Sequence, residues 1–372
     1  MGDIQRLALQ GLGVAFTTAL IVVPLCAFLA RRLGVVDKPG GRKRHERVTP
    51  LLGGVCVFVA VAAGWMALAT NADGVVDLQA DELRPIFTAA VIMFLVGLVD
   101  DVFKDSMAFQ PKLLGQIAGV MVIMWPHMVT LVETGGTAGD WAYQLFFLCW
   151  YLTVVNSLNF SDNMNGLMSG LSIIAFAASV VYLGNVGSER TMLVAATLVG
   201  ALIGFLPYNF PRSMIFLGDA GSMFVGLCMA WIMWDLSEGF MAVNQLDLGA
   251  SELVPAVLIM GVPLFDAAFV VVMRAVEGRP VYLGDDQHLS HRLVRGGFSP
   301  AEAVVILWGL GLFLAGVGTF VAPFAEPEYR YLLFAAAFLV MTVFTRWVMG
   351  NEARHEAALA AAEDGGGKGT AA

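Results

Sequence analysis

A short polar segment between two long apolar segments carries the residues best suited to chemistry. It covers residues 207–222 and places Asp219 between two glycines, with Asn209 and Phe216 upstream. A carboxylate so close to hydrocarbon is costly and needs a cation or a hydrogen-bond network as its partner. The glycines allow a ligand to approach the backbone closely. Because the amide and the ring could recognise and stack on a base, the segment predicts a metal and nucleotide site at a membrane surface.

Two adjacent carboxylates, Asp100 and Asp101, end another apolar segment. Like charges at this spacing are expected to share a cation or to hold a proton. Lys104 and Lys112 follow and could bind phosphate, while a carboxylate acts as a base or as a metal ligand. An Asp pair also occurs at helix ends without a function, but the nearby lysines favour a functional interpretation.

A third polar segment is rich in amides. Asn156, Asn159 and Asn163 follow one another at near-helical spacing, as do Asp162 and Asn165. One helix face with several amides and a carboxylate suits hydrogen bonding to a sugar or a base. A helix cap followed by a turn is the structural alternative, but it does not require so many asparagines.

Two histidines lie close to the C-terminal end of the polar sequence. His288 and His291 are three residues apart and share a face if the segment is helical. Arg292 and Arg295 lie beside them, which disfavours a cationic zinc ion and favours phosphate binding.

Two further features have both a structural and a functional interpretation. The basic segment 31–50, which includes Arg44 and His45, could anchor the chain to anionic lipid or bind a phosphorylated substrate. Asp266 lies within an apolar segment and is a functional candidate on that ground. It could instead pair with Arg274 or cap a broken helix.

Membrane helices must position these polar segments. The chain of 372 residues is 58% hydrophobic and 14% charged, with a mean hydropathy of +0.75, whereas soluble domains are about 45–50% apolar and about 25% charged. We therefore predict an all-α polytopic integral membrane protein. It should have about eleven transmembrane helices, although some of the segments are shorter than the ~20 residues of a straight crossing. The predicted spans are 11–30, 51–70, 85–99, 113–132, 141–156, 167–184, 191–207, 222–236, 252–273, 302–322 and 331–348.

The basic residues predict the orientation. If the N-terminus is outside, only Arg6, Arg84, Arg190 and Arg330 of the 21 Lys and Arg residues fall on the outer side. The positive-inside rule then places the C-terminus in the cytoplasm. The polar segments described above all fall on the cytoplasmic side, so we expect the active site there.

The remaining composition carries little functional information. The net charge of −9 comes largely from acidic residues in the predicted outer loops and does not indicate a particular partner. The four cysteines lack a CxxC spacing and are predicted to be small core hydrophobes. We expect no cleaved signal peptide, one transmembrane domain over residues 1–350, and a flexible cytoplasmic tail over 351–372.

Five ordered motifs resemble those of the polyprenyl-phosphate N-acetylhexosamine-1-phosphate transferases, the superfamily that includes the phospho-N-acetylmuramoyl-pentapeptide transferase. The likeness covers about residues 34–300. The motifs are Asp37-Lys38-Pro39 with Arg44-His45 and Pro50…Gly53-Gly54, Asp100-Asp101, Asn156…Asn159…Asp162…Gly166, Asn209…Phe216…Gly218-Asp219-Ala220-Gly221-Ser222, and His288…His291-Arg292.

The resemblance implies a reaction and a set of site residues. The family transfers a sugar 1-phosphate from a UDP-sugar to a polyprenyl phosphate and releases UMP. By analogy, Asp219 would bind Mg2+, with Mn2+ as the alternative ion, and Phe216 would stack on uracil. The implied catalytic carboxylates are Asp100, Asp101 and Asp162, of which the first two would serve the prenyl phosphate. The implied substrate-binding residues are Arg44, His45, Lys112, Asn156, Asn159, Asn165, Asn209, Phe216, His288, His291 and Arg292.

The sequence departs from the family pattern at two positions. Asn165 replaces a position that is usually Asp in bacterial members, which implies altered contacts with uridine, and Ser290 replaces a further histidine. The missing histidine and the sequence at 263–266 favour the N-acetylhexosamine branch over the muramoyl-pentapeptide branch, which remains the alternative. GlcNAc 1-phosphate is the favoured group and undecaprenyl phosphate the favoured acceptor, at the start of a cell-envelope polysaccharide in the bacterial inner (plasma) membrane. Membrane lipids and a homodimer complete the predicted partners, and no nucleic acid is expected.

Two other protein classes were considered. The Asp-rich segment 100–105 suggests an intramembrane prenyltransferase. Such an enzyme would need a second Asp-rich motif, and the amide-rich segment 156–165 is a poor match to one. An ion-coupled transporter would place its polar groups near the membrane midplane, often within internal repeats, whereas here they collect at one face.

Overall fold

The chain folds into a bundle of helices with one small β-ribbon. The computed structural model describes residues 2–37, 48–71, 83–103, 108–244, 250–280 and 286–366. The helices are α1 (Asp3–Leu33), α2 (Gly53–Asn71), α3 (Leu83–Val102), α4 (Phe109–Thr134), α5 (Ala138–Ser161), α6 (Leu167–Val186), α7 (Glu189–Asn209), α8 (Gly218–Asn244), α9 (Val254–Ile259), α10 (Gly261–Val276), α11 (Leu289–Arg295), α12 (Pro300–Phe320) and α13 (Pro327–Gly366). The strands β1 (Val36–Asp37) and β2 (Thr49–Pro50) pair antiparallel.

The apolar segments of the sequence coincide with these helices, which confirms a polytopic all-α membrane protein. Within the described ranges, nine helices are long and apolar enough to cross a membrane. The predicted span 252–273 is instead a bent pair, because α9 and α10 meet at 91°. The remaining long helix, α5, has 24 residues but is not among the nine helices that are long and apolar enough to cross a membrane.

Small residues allow the helices to approach closely. The buried face of α1 includes Gly11, Ala15 and Ala19 at intervals of four residues, an arrangement typical of close packing between membrane helices. On the facing helix α7, a Cβ at Gly200 would lie 2.1 Å from the carbonyl oxygen of Leu12. Any side chain at this position would therefore separate α1 from α7.

Helix α8 is the centre of the bundle. Within Gly218–Ser237, 94% of an 18-residue apolar segment is buried, and the helix packs against α2, α3, α5 and α6. Asp219 lies in the first turn of α8, so this central position brings the carboxylate close to residues from several other helices.

The β-ribbon ties the segment before α8 to the start of α2. The amide of Phe216 donates to the carbonyl oxygen of Pro50 at 2.8 Å, and the carbonyl of Phe216 accepts from the amide of Gly53 at 3.0 Å. A Cβ at Gly54 would lie 2.2 Å from the backbone nitrogen of Gly221. Glycine is therefore needed where the two segments cross.

Helix α13 continues to Gly366, and a flexible tail over 351–372 stays a prediction. One expectation requires correction. All four cysteines are free, and Cys149 is exposed rather than in the core.

Candidate active site

Four helices bring charged and amide side chains together at the start of α8. The ammonium Nζ of Lys112 lies 2.5 Å from Asp219 Oδ2 and 2.5 Å from Asp100 Oδ2. Asn159 Nδ2 donates to the other oxygen, Asp219 Oδ1, at 2.7 Å. The charged side chains are 17–26% exposed, so a ligand can reach them. The sequence motifs of α3, α4, α5 and α8 therefore converge on a single carboxylate.

Asp101 has a different position from the carboxylate that precedes it. It is only 8% exposed, and its two oxygens accept the backbone N–H groups of Asp219 and Ala220, both at 2.9 Å. Helices α3 and α8 are in close contact here, since a Cβ at Gly97 would lie 2.3 Å from the carbonyl oxygen of Asp219. Gly218 has a φ of +74°, and a Cβ there would lie 2.5 Å from Asp101 Oδ2. Asp101 thus caps the N-terminus of α8.

A cavity of about 440 Å³ adjoins this cluster. Gly218, the neighbour of Asp219, contributes to its wall, and so do Asp37 and Asp286. Its walls also include five predicted site residues: Asp162, Asn165, Asn209, Phe216 and His291. Binding sites for small molecules are commonly about 300–1,000 Å³. The cavity can therefore hold a nucleotide-sized ligand next to the charged cluster.

Asp162 lies immediately after α5, between the cavity and the charged cluster. Burial and the negative charges of Asp219 and Asp101 raise its pKa well above the ordinary value, and a hydrogen bond from the Gly218 backbone opposes this shift only in part. The raised pKa favours the protonated form, which can donate a hydrogen bond to a ligand.

Two of the predicted substrate-binding amides hydrogen-bond within the protein. Asn156 and the buried Gln116 exchange hydrogen bonds of 2.9 and 3.3 Å between α5 and α4. Asn209 is 2% exposed, accepts from the Gly166 amide at 2.8 Å and donates to the Ile215 carbonyl at 3.0 Å. Both amides therefore position the site, although Asn209 also contributes to the cavity wall.

The buried carboxylate Asp266 orients the histidine segment. Its Oδ2 lies 2.7 Å from His288 Nδ1, and its Oδ1 accepts the amide of Leu289 at 2.8 Å. Arg274 lies over the ring of Phe160 at 5.5 Å. The sequence left the partner of Asp266 open, and the fold supplies it from a residue 22 positions away.

Arg292 contacts the C-terminal helix. Its guanidinium Nη1 binds Glu352 at 2.8 Å, and Nε donates to the Gln287 carbonyl at 3.1 Å. The contact of Arg292 with a diphosphate stays a prediction. Ser290 Oγ donates to Asn163 Oδ1 at 2.7 Å, so the residue that replaces a histidine joins α11 to the amide-rich segment.

Some predicted residues cannot be placed, and others were not predicted. Arg44 and His45 lie outside the described residues. Sequence reasoning did not identify Gln116 or Glu352. It named Ser222 only as part of a motif, whereas Ser222 Oγ accepts from Asn159 at 2.8 Å. No local sequence pattern indicates which residues these side chains contact. The signal in the sequence was that each is a polar residue within or next to an apolar segment.

The donor set at the start of α8 fits a magnesium ion bound together with a substrate. Mg2+ prefers oxygen ligands and is commonly held by one or two carboxylates together with substrate phosphates and water. Asp219 and Asp100 provide such oxygens and already hold a cation, the Lys112 ammonium. Within the described ranges, no group of three or more His, Cys, Asp or Glu side chains could hold a metal ion. The remaining ligands would have to come from elsewhere, such as a substrate diphosphate.

Comparison with known proteins identifies the family. The model of Glycosyl transferase family 4 matches residues 83–237, which include α3, α4, α5 and the first part of α8. The chain is 30% identical over 363 residues to the decaprenyl-phosphate N-acetylglucosaminephosphotransferase of Mycobacterium tuberculosis, covering 92% of this chain and 89% of that protein. The chain belongs to glycosyl transferase family 4. A second relative, the undecaprenyl-phosphate alpha-N-acetylglucosaminyl 1-phosphate transferase of Salmonella typhi, is 29% identical over 346 residues, covering 90% of this chain and 89% of that protein.

Family membership confirms the resemblance noted in the sequence. This family-4 protein is a membrane-embedded transferase enzyme. Helices α3 and α8, which carry Asp100 and Asp219, lie within or begin within the matched region. The histidine segment and the C-terminal helix lie beyond it, but the match to the mycobacterial relative extends over 92% of the chain.

Proposed function

We propose that this enzyme transfers N-acetylhexosamine 1-phosphate from a UDP-sugar to undecaprenyl phosphate and releases UMP. GlcNAc 1-phosphate is the group that we favour, because two relatives are named as N-acetylglucosamine phosphate transferases. The observation that carries the proposal is the pair Asp100 and Asp219, bridged by Lys112 next to a cavity of about 440 Å³. This arrangement offers a charged site for phosphate and a separate space for the nucleotide.

The cavity is the proposed donor site. The ring of Phe216 would stack on uracil, and Asn165, which donates a 3.4 Å hydrogen bond to the Pro211 carbonyl, would contact the uridine. Asp162 and His291 line the same cavity and would bind the sugar or the diphosphate. A donor bound in this way would direct its phosphates past Gly218 towards the charged cluster.

The charged cluster is the proposed reaction centre. An oxygen of the acceptor phosphate attacks the β-phosphorus of the donor, the bond from this phosphorus to the bridging oxygen breaks, and that oxygen leaves with UMP. Phosphoryl transfer is catalysed mainly by positioning and by neutralising charge. Lys112 would neutralise phosphate charge, while Asp100 would orient the acceptor or accept its remaining proton.

A divalent ion fits the same centre. Mg2+, or Mn2+ in its place, would be held by Asp219 and would neutralise the negative charge of the diphosphate. Asn159 fixes the orientation of that carboxylate through a 2.7 Å hydrogen bond. Because both carboxylate oxygens of Asp101 accept backbone N–H groups of α8, we propose that this residue holds Asp219 in place rather than acting as a base.

We also propose a membrane arrangement. The enzyme would cross the bacterial inner (plasma) membrane eleven times if α5 and the bent pair α9–α10 are each one span. The distribution of Lys and Arg supports an outside N-terminus and an active site on the cytoplasmic face. The crossings would form one transmembrane domain, and a homodimer stays a prediction.

A panel of radiolabelled donors tests the function. The purified protein is incubated with undecaprenyl phosphate, Mg2+ and UDP-GlcNAc, UDP-GalNAc or UDP-MurNAc-pentapeptide, and labelled lipid and UMP are measured. We expect label in the lipid from UDP-GlcNAc, loss of turnover with a chelator, and recovery with Mg2+ or Mn2+. If no UDP-sugar gives labelled lipid, the proposal is wrong, and label from the pentapeptide donor would indicate the alternative branch.

Asp219→Asn tests the assignment of the centre. We expect UMP release to fall at least about 100-fold, in the range seen when groups that support a metal site are removed. Asp235→Asn is the matched control, since Asp235 lies on the same helix and accepts a 2.7 Å hydrogen bond from Ser188. Equal turnover of the two variants would contradict the role of Asp219.

A further inference from the structure

Glu352 of helix α13 forms a buried ion pair with α11. Glu352 is only 8% exposed, and it binds Arg292 Nη1 at 2.8 Å and Arg295 Nε. A buried charge is costly unless it is paired and hydrogen-bonded. The contact therefore fixes the relative position of the two helices.

Two neighbouring contacts strengthen the same junction. Asn351 Nδ2 donates to the Gly296 carbonyl at 2.6 Å. Gly297, with a φ of +98°, faces the ring of His355, and a Cβ at Gly297 would lie 3.3 Å from that ring. Helix α13 therefore covers the turn that follows α11.

Helix α11 depends on such contacts. It has seven residues, Leu289–Arg295, and so short a helix is not stable in isolation. Its start is held by Asp266 at 2.8 Å from the Leu289 amide and by the hydrogen bond between Ser290 and Asn163. Its C-terminal end is held by the contacts with α13.

The two arginines carry the contact to the cavity wall. Arg295 Nη1 donates to the carbonyl of Asp286 at 2.8 Å, and Arg292 Nε donates to the carbonyl of Gln287 at 3.1 Å. Asp286 is part of the wall. Glu352 is thus linked to the cavity wall through Arg295 and Asp286, and through Arg292 to Gln287, which is next to Asp286 in the chain.

We propose that Glu352 is a positioning residue that sets the α11 wall of the donor cavity. The inference rests on the proposed function, in which the nucleotide sugar occupies that cavity. Asp100 and Lys112 lie on α3 and α4 and form the proposed site for the acceptor phosphate. Loss of the Glu352 contact should therefore weaken donor binding and leave acceptor binding unchanged.

Steady-state kinetics of the full-length enzyme in detergent test this role. For Glu352→Gln we expect the KM for the UDP-sugar to rise about tenfold, equivalent to about 1.4 kcal/mol, with the KM for undecaprenyl phosphate unchanged. Glu356→Gln is the matched control, since it makes the same change at an exposed position on the same helix. A chain ending at residue 357 should behave as wild type, whereas one ending at residue 350 should show the raised donor KM.

Hydrogen exchange of residues 286–297 gives a second readout that does not need activity. We expect faster exchange in Glu352→Gln than in Glu356→Gln. Equal exchange and equal donor KM in the two variants would overturn the inference, as would an equal rise of both KM values with a lowered melting temperature. If the wild type transfers no sugar phosphate from any donor, the proposed function is wrong. Unchanged hydrogen exchange of residues 286–297 in Glu352→Gln would separately show that Glu352 does not hold α11.

Discussion

Replacing Asp101 with asparagine should destabilise the enzyme, because Asp101 holds the first turn of α8. Its carboxylate accepts two backbone N–H groups, those of Asp219 and Ala220, at 2.9 Å each. Asparagine has one acceptor oxygen, so its NH2 group would face the second N–H. One hydrogen bond would be lost and one buried N–H left without its acceptor.

The size of the effect follows from these contacts. A hydrogen bond to a charged group contributes about 1.5–3 kcal/mol, and a negative charge at a helix N-terminus contributes about 0.3–1 kcal/mol. We therefore expect the free energy of unfolding to fall by about 2–4 kcal/mol in Asp101→Asn. Activity should also fall, since the turn that carries Asp219 loses its anchor.

Asp100→Asn is the matched control, one residue away on the same helix. Asp100 pairs with Lys112 at 2.5 Å, and in Asp100→Asn the Lys112 ammonium keeps its second carboxylate partner, Asp219, at 2.5 Å, so the loss of stability should be smaller. Thermal unfolding of the detergent-solubilised protein, measured by size-exclusion chromatography after heating, compares the variants. UMP release is measured on the same samples.

We expect both variants to lose activity but only Asp101→Asn to melt well below the wild type. If both melt at the wild-type temperature, Asp101 does not hold α8 and the reasoning is refuted. If Asp100→Asn is the less stable protein, the roles of the two carboxylates are reversed.

Two further predictions use matched pairs. Asn159→Ala should lower turnover about 10- to 100-fold, because it removes the hydrogen bond that orients Asp219. Asn156→Ala should mainly lower the melting temperature. Equal turnover of the two variants would contradict these different roles. Gly97→Ala should abolish activity or folding, since its Cβ would lie 2.3 Å from the Asp219 carbonyl, while Gly309→Ala, with no atom within 4 Å, should be neutral. The two glycine variants are compared by their activity and by the yield of folded protein. A fully active Gly97→Ala would show that α3 and α8 can move apart without loss of function.

The helices could be predicted because hydrophobicity is a local property of the chain. Nine of the eleven predicted spans lie within an observed helix or within the bent pair, and the other two, 51–70 and 302–322, extend two residues beyond α2 and α12. The bend itself was not predicted, since no Pro or Gly pattern in 252–273 by itself requires an angle of 91° between α9 and α10. The packing of the surrounding helices decides it.

The site was predicted only as a set of residue types. Asp100 and Asp101 are equivalent in the sequence, yet neighbours on a helix point about 100° apart. Which of them faces Lys112 and which caps α8 depends on where α8 lies against α3. The same holds for Asn156 and Asn159, which are close on α5 but contact different helices.

Long-range partners could not be inferred from the chain. Asp266 and His288 are 22 positions apart, and Glu352 lies 60 positions from Arg292. The sequence by itself determined the class of protein, the places of its helices, its family resemblance and the polar residues able to do chemistry. Only the tertiary structure decided which carboxylate is exposed, which amides form hydrogen bonds that position the site, and which residues hold α11. The reason is that hydrogen bonds depend on ångström distances set by helix packing.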